Sequence, residues 1–559
     1  MEKRCQLLIL HRKNTKFFKQ SNTFIMSGFF GVVSQQDCAK EVFYGTDYHS
    51  HLGTKRGGLA IYNNKSKTYH RDIHNLENSY FRTKFDDEIL EYHGKAGIGC
   101  ISDTDAQPIL RHNSIGSYAV ATVAKINNIK ALSNELKAKR GLSFAEQSDG
   151  KINQTELVAL LIHEGIGFSK EDRKKSFDTR FVEGIKHVQD SVLGSCSMLV
   201  LFNETIYAGR DRLGRTPIVI GSKTITDDKT NKSYKSFCVA SESTSFLNLG
   251  YKLEHVLGPS EIVKVTADGY ETIVKPIEES QVCSFLWVYY GYPPSVYDNE
   301  INVDEVRYRC GEMLARADMN EPGNTPDDAK KKEIDFVAGI PDSGVGHALG
   351  YSNYRHRPYM RPYVKYTPTW PRSFMPQDQE QRKLVAKMKL IPNEAIIKGK
   401  SGVFLDDSIV RGTQLGDNVR DLVECGIKDV HMRIACPPLI YPCEFLNFSR
   451  SRSSAELATL RAIMRLLAPK VRERDGIKET DVTKNPLKKA LLKELSKTDL
   501  KPYADPNTPE YKAMVDEIRK ELGLTTLKFQ KLDDLVEAIG MPKCKLCTHC
   551  FDGSSWGYK

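Results

Sequence analysis

The chain has 559 residues, 40% hydrophobic and 27% charged, with a formal net charge of +10. That length exceeds one ordinary core and allows two to four globular domains, while no run approaches the roughly 18 uninterrupted apolar residues of a membrane helix. The lysines concentrate in one segment rather than in a stripe interleaved with aromatics, which argues against nucleic acid as a partner.

Residues 1–26 are basic and contain a short apolar run, Leu7-Leu8-Ile9-Leu10, smaller than a secretory h-region of about 7 to 15 residues. They read as a leader or a misassigned start, because an alternating apolar pattern begins right after Met26. Thirteen cysteines without a secretory segment point to a reducing, cytoplasmic compartment, where clustered thiols serve as metal ligands more often than as disulfides.

From residue 27 to about 280, short β-type runs such as 197–202 and 237–240 alternate with turn residues, which predicts a sheet-rich domain. From 281 to 449 strand, loop and helix alternate, as in 334–340 followed by a glycine loop, and the expected architecture is a parallel α/β sheet. Residues 450–510 carry Lys, Glu and Leu at helical spacing until Pro502 and Pro506 interrupt them. They predict a solvated helical insertion, with a basic interaction surface as the functional alternative. Residues 511–559 return to the second domain.

Chemistry concentrates after residue 401. The apolar run Gly402-Val-Phe-Leu405 ends in Asp406-Asp407, followed by Ser408-Ile409-Val410-Arg411-Gly412-Thr413 and an amphipathic helix from about Gln414 to Glu424 that Gly426 closes. A loop between the carboxyl end of a strand and the start of a helix aims backbone N–H groups and the helix dipole at one point, which suits a phosphate. Ser408 and Thr413 add hydroxyl donors and Gly412 permits close backbone approach. Asp406 and Asp407 are the acceptors that a ribose diol or a hydrated magnesium ion requires. Ile340-Pro341-Asp342-Ser343-Gly344 is a second strand-to-helix turn able to cradle an anion. Near the carboxyl end, Cys544-x-x-Cys547-x-x-Cys550 has metal-ligand spacing that suits either zinc or an iron–sulfur cluster.

The octapeptide 406–413, with the apolar run before it, resembles the 5-phosphoribosyl-1-pyrophosphate (PRPP) signature of amidophosphoribosyltransferases, the glutamine-dependent enzymes that open purine synthesis. The resemblance covers about residues 27–449 and 511–559. It implies an Ntn-hydrolase-like αββα glutaminase-type domain followed by a type I phosphoribosyltransferase domain. It also implies that PRPP and Mg2+ bind at Asp406, Asp407 and the loop Ser408, Ile409, Val410, Arg411, Gly412 and Thr413. The loop Asp342, Ser343 and Gly344 resembles the family's pyrophosphate loop. Lys365 and Arg372 resemble the basic residues of its lid, with Arg382 and Lys387 in the segment that follows. Between Lys365 and Arg372 this chain carries Tyr-Thr-Pro-Thr-Trp-Pro, one residue longer than the family stretch. Members with a [4Fe–4S] cluster draw ligands from positions matching Cys283, Cys443, Cys547 and Cys550, leaving Cys544 and Cys436 as spare thiols; the cluster would be structural. Homo-oligomers and purine nucleotide effectors are further implications.

The first domain resembles the family's glutaminase at Gly28-Phe-Phe-Gly31, Ala106-Gln107-Pro108, the segment 208–217, Ala240-Ser241-Glu242 and Gly258-Pro-Ser-Glu261. The family places a nucleophilic cysteine before the first of these glycines, where this chain has Ser27. Its Asn-Gly oxyanion pair falls at about Val123-Ala124, ahead of Lys125 and Ile126. Its glutamine-binding Arg should follow Gly97-Ile98-Gly99, where Cys100-Ile101-Ser102-Asp103 stands, and an acidic residue that binds the substrate amine falls near Gln154. The expectation is an enzyme that makes 5-phosphoribosylamine with ammonia, free or delivered by another protein. Two alternatives stand beside it: a non-catalytic PRPP- or nucleotide-binding regulatory paralogue, and a Ser27 N-terminal-nucleophile amidohydrolase.

Overall fold

Ser27–Ser34 (β1) is buried along its whole length, as suits a run of Phe, Val and Gly with no charge to carry outward. In the computed structural model, which describes residues 27–148, 150–227, 231–320, 334–365, 390–446, 456–477 and 486–554, β1 lies in the middle of an antiparallel seven-stranded sheet. Its other strands are Arg56–Asn63 (β2), Thr68–Asn75 (β3), Ala96–Ser102 (β4), Val219–Asp227 (β9), Lys232–Ala240 (β10) and Lys252–Val256 (β11), in the order β11-β9-β10-β1-β4-β2-β3. A second antiparallel sheet holds Ile109–Asn113 (β5), Gly116–Ile126 (β6), Gly194–Phe202 (β7), Thr205–Gly209 (β8), Ile262–Val265 (β12) and Tyr270–Val274 (β13), in the order β13-β12-β8-β7-β6-β5.

The period of two along a strand decides the layering. Phe29 and Val33 point into the core between the sheets with Leu199, Leu201 and Ile206. Phe30 and Val32 point the other way, into a core shared with Val42 and Phe43 of helix α1 (Ala39–Asp47). On the far side α2 (Gln154–Ile166) and α3 (Phe177–Ser191) cover the second sheet through Leu157, Leu161, Phe181 and Ile185. Each buried Phe or Leu contributes roughly 1.5–3 kcal/mol, and the result is helix, sheet, sheet, helix, as expected.

The second domain has the expected parallel sheet. Phe336–Gly339 (β14), Ser401–Asp406 (β15), Asp429–Ile434 (β16) and Thr526–Phe529 (β17) lie in the order β14-β15-β16-β17. Helices α4 (Val303–Met319), α5 (Val345–Arg355) and α6 (Thr413–Glu424) pack around it. The segment expected as a solvated insertion is helical, with α7 (Ala458–Asp475) and α8 (Pro486–Leu495), followed by α9 (Pro509–Leu522). It is not solvated throughout: Leu457, Ala458, Leu460, Ala462 and Ile463 are buried in the second domain's own core. Apolar residues at spacings of three and one give that end of α7 a buried stripe.

The two domains share polar contacts. Buried Arg210 grips Asp298 through both guanidinium arms at 2.8 Å each, and buried Glu242 accepts from Tyr297 Oη at 2.9 Å. Among the described residues no helix is long and apolar enough to cross a membrane. Arg372, Arg382, Lys387 and residues 1–26 lie outside the described residues.

Candidate active site

Strand β15 delivers Asp406 at its carboxyl end, and the loop that follows turns through Gly412, whose φ of +71° places it in the left-handed region. A residue with a Cβ is strained there, so glycine is what lets α6 begin one residue later. The second expected loop meets the first. Ile340 N–H donates to the Leu405 carbonyl at 2.9 Å, and Ser343 Oγ donates to Asp406 Oδ1 at 3.1 Å. A Cβ at Gly344 would stand 2.1 Å from the Leu405 carbonyl oxygen, so only glycine allows this approach.

The acidic pair is tightly knit. Asp406 Oδ1 also accepts from the Asp407 N–H at 3.0 Å, and Asp407 Oδ2 accepts from Ser408 Oγ at 2.5 Å. Burial, then the charge of Asp407, pushes the Asp406 carboxyl well above the usual range. Asp407 is pushed up by burial against the hydrogen bond from Ser408 and the charge of Arg307. Two carboxyls that resist ionisation side by side are arranged for a cation or for donors that would favour their charged forms.

The structure thus brings Asp406, Asp407, Ser408, Ser343 and Gly344 to one place. Lys365 reaches the same rim by pairing with Asp342. Ile409 is buried in the core, whereas Arg411 is engaged by Glu456 at 3.2 Å; Thr413 is the first residue of α6.

Arg307 is the neighbour that the sequence reading missed. Only 4% exposed, it donates to the carbonyls of Trp287, Tyr289 and Gly291 at 3.1, 2.9 and 2.8 Å. It holds the chain entering the domain and places a positive charge behind Asp407. A signal was present in the sequence. Val303, Val306, Cys310 and Leu314 form the buried stripe of α4, and Arg307 and Asp318 are the charges set into that stripe.

Among known proteins, the family described as a glutamine amidotransferase domain matches residues 93–248. The amidophosphoribosyltransferase of Methanothermobacter thermautotrophicus is 27% identical over 538 residues, 94% of this chain and 93% of its own. That of Methanocaldococcus jannaschii is 29% identical over 445 residues, 75% of this chain and 86% of its own, and that of Mus musculus is 30% identical over 348 residues, 61% and 62%. Over most of its length the chain is similar to amidophosphoribosyltransferases. Its fold is that of the glutamine PRPP amidotransferase from B. subtilis, at a TM-score of 0.70 and 24% identity over 94% of this chain and 96% of that one.

Two further amidophosphoribosyltransferase features were expected, a cysteine set and an altered glutaminase centre. Cys283 and Cys547 sit opposite each other in a short parallel strand pair, and Cys283, Cys443, Cys547 and Cys550 line one small cavity with Arg215 and Phe445. None of the four is in a disulfide. Burial pushes the Cys283 and Cys550 thiols up, and the neighbouring sulfurs add to it. Burial also raises Cys547, with Arg215 pulling the other way. Cys544 is exposed outside the cavity, and Cys436 is buried near Asp407. Among the described residues no three His, Cys, Asp or Glu side chains converge closely enough to hold a metal ion.

Ser27 is only 6% exposed, and its Oγ lies 2.8 Å from Ser102 Oγ. Ser102 in turn accepts from the N–H groups of Thr104 and Asp105 at 3.1 Å each. Gln154, at the position read as the amine-binding one, spends its side chain on other partners: Nε2 donates to Asp105 at 3.3 Å and Oε1 accepts from the Ile126 N–H at 2.8 Å. Val123 and Ala124 lie inside β6 opposite Ser197 and Cys196. Just beyond them, Lys125 reaches the Cys443 carbonyl at 2.8 Å.

Proposed function

We propose that this protein forms 5-phosphoribosylamine and pyrophosphate from PRPP, with ammonia, free or delivered by another protein, as the nitrogen source instead of glutamine hydrolysed in its own first domain. The observation that carries this reading is the junction of two strand-to-helix loops at Asp406, Asp407 and Ser343. Attack of ammonia on C1 of the ribose breaks the bond to pyrophosphate, and no protein nucleophile is needed. The chain's work is to position the sugar and meet the charge on the departing group.

Asp406 and Asp407 would accept from the ribose hydroxyls or hold magnesium, which usually binds through one or two carboxylates plus substrate phosphates. When bound, magnesium would supply charge neutralisation on the pyrophosphate. N–H groups of the loop 408–413 would hold the 5-phosphate, those around Asp342, Ser343 and Gly344 the pyrophosphate, and Lys365 with Arg372 would close over it. Cys283, Cys443, Cys547 and Cys550 would hold a structural [4Fe–4S] cluster; four cysteines lining one cavity suit that group. The structure from B. subtilis is described as complexed with ADP and GMP, which supports purine nucleotides as effectors here too.

In the first domain, Ser27 spends its hydroxyl on Ser102, and Gln154 spends its amide on Asp105 and Ile126. These commitments support a retained scaffold without glutaminase activity. Purified protein with PRPP and Mg2+ is expected to release pyrophosphate with ammonium chloride and not with glutamine. No turnover with either, alongside retained PRPP binding, would favour the regulatory paralogue, and glutamate released from glutamine would favour the Ser27 amidohydrolase.

A further inference from the structure

The first turn of α7 is fastened to the phosphate loop of the second domain at two successive peptides. The Ala458 N–H donates to the Val410 carbonyl at 2.8 Å, and one arm of Arg461 donates to the Arg411 carbonyl at 2.6 Å. The same nitrogen of Arg461 donates to Glu521 of α9 at 3.0 Å, and its other arm caps the Glu456 carbonyl at 2.9 Å. The Arg411 side chain pairs with Glu456 at 3.2 Å. One guanidinium thereby joins the loop, the start of α7 and α9.

Peptide geometry gives this fastening a consequence. Neither the 410–411 nor the 411–412 peptide is among the cis bonds of the chain, and in a trans peptide the C=O and N–H point in opposite directions. Holding the Val410 and Arg411 carbonyls against α7 therefore turns the Arg411 and Gly412 N–H groups away from it, both to one side of the loop. Two successive N–H groups turned the same way form a concave anion seat. Without the fastening, the left-handed Gly412 lets the 411–412 peptide turn over at little cost.

We propose that Arg461 is a positioning residue for PRPP: through the Arg411 carbonyl it preorganises the N–H groups of the phosphate loop, so that a helix inserted between β16 and β17 is part of the substrate site's scaffold. The proposal rests on the reading of residues 406–413 as the PRPP site and adds a role for a segment in which the sequence reading placed none of the site residues. Arg465 provides the comparison. It pairs with Glu521 at 2.6 Å and Glu517 at 3.5 Å on the same two helices, one turn farther along α7.

The test compares Arg461→Ala, Arg461→Lys and Arg465→Ala. Arg461→Ala is expected to raise KM for PRPP roughly tenfold, the scale of one lost charge-assisted hydrogen bond, with kcat changed less than about twofold. Arg461→Lys, which keeps a charged donor, should restore most of the loss, and Arg465→Ala should lower the melting temperature comparably without moving KM. An unchanged KM in Arg461→Ala, or an equal rise in Arg465→Ala, overturns the proposal. If the alanine variant does not fold, Arg461→Gln carries the same comparison. Hydrogen–deuterium exchange across residues 409–412 without ligand separates this proposal from the PRPP reading. It is expected to be about tenfold faster in the Arg461 variant than in wild type or Arg465→Ala, even if the wild type binds no PRPP, and equal exchange overturns the clamp.

Discussion

Lys125 Nζ donates to the carbonyl oxygen of Cys443 at 2.8 Å, and two residues on, Asn127 Nδ2 donates to the Glu444 carbonyl at 2.7 Å. The end of β6, next to the positions where the family's oxyanion pair was expected, is thereby joined to the loop that presents one of the four clustered cysteines. Arg215 strengthens the same junction, with its guanidinium 3.7 Å from the centre of the Phe445 ring, a cation–π contact. Lys125→Met keeps the stem and removes the donor. Amide exchange in residues 443–446 is expected to speed up about tenfold, the scale of one hydrogen bond from a charged group, with little change elsewhere in β6. Unchanged exchange in 443–446 would mean that the contact does not hold the loop.

Asp407 is a place where function and stability oppose each other. Its folded carboxyl is pushed above the usual range by burial. Its contribution to stability is therefore fully present below the unfolded pKa of about 4 and lost as pH rises through the raised value. At neutral pH the acidic pair costs the unliganded protein stability. Asp407→Asn is expected to raise the melting temperature at pH 7.5, with the gain shrinking toward pH 4, while PRPP affinity in Mg2+ falls on the order of 100-fold or more. Scanning calorimetry and titration calorimetry check the two halves separately; a variant that lost stability at neutral pH would contradict the electrostatic account.

Asp318 behaves in the opposite sense. Burial disfavours its charge, but Arg433 at 2.6 Å and Lys528 at 2.7 Å outweigh that and hold its carboxyl down at about 2. Because the folded value lies below the unfolded one, its stabilisation is present above about pH 4 and is lost as pH falls toward 2. A depression of this size corresponds to about 2 kcal/mol. Asp318→Asn leaves two cations facing a neutral amide between α4, β16 and β17 and is expected to cost about 3 kcal/mol, measured by urea denaturation at pH 7. The difference from wild type should narrow markedly at pH 3.

Ser27→Cys tests the first domain. A thiol is the stronger nucleophile, but the substitution does not change the commitments of Gln154 or bring a carboxylate-gripping Arg to Cys100. Glutamate release from glutamine is therefore expected to stay at background in Ser27→Cys, as in wild type and Ser27→Ala. The three proteins should show ammonium-dependent rates within about twofold of each other, since Ser27 has no part in the proposed attack of ammonia on PRPP and its loss leaves transition-state binding there intact. Glutamate formation by the thiol variant would show that the remaining site is competent and that only the nucleophile was lost.

Local order along the chain settled a good deal. Phe29 and Phe30 had to face opposite sides of β1 because successive strand residues do, and the run from Gly402 to Glu424 had to be strand, loop and helix because its apolar run, turn residues and helical stripe follow each other in that order. The acidic pair, its hydroxyl neighbours and Gly412 were legible for the same reason: each acts through its own backbone or through residues a few places away. Which distant groups meet there was not. Arg307 behind Asp407, Ser343 on Asp406, the four cysteines around one cavity and Arg461 on the Arg411 carbonyl join segments dozens to hundreds of residues apart. Helical and strand periodicity says which face of an element is buried but not what covers it. That choice is made only when the elements pack, since the partner of a buried charge or carbonyl is set by which surfaces close over it.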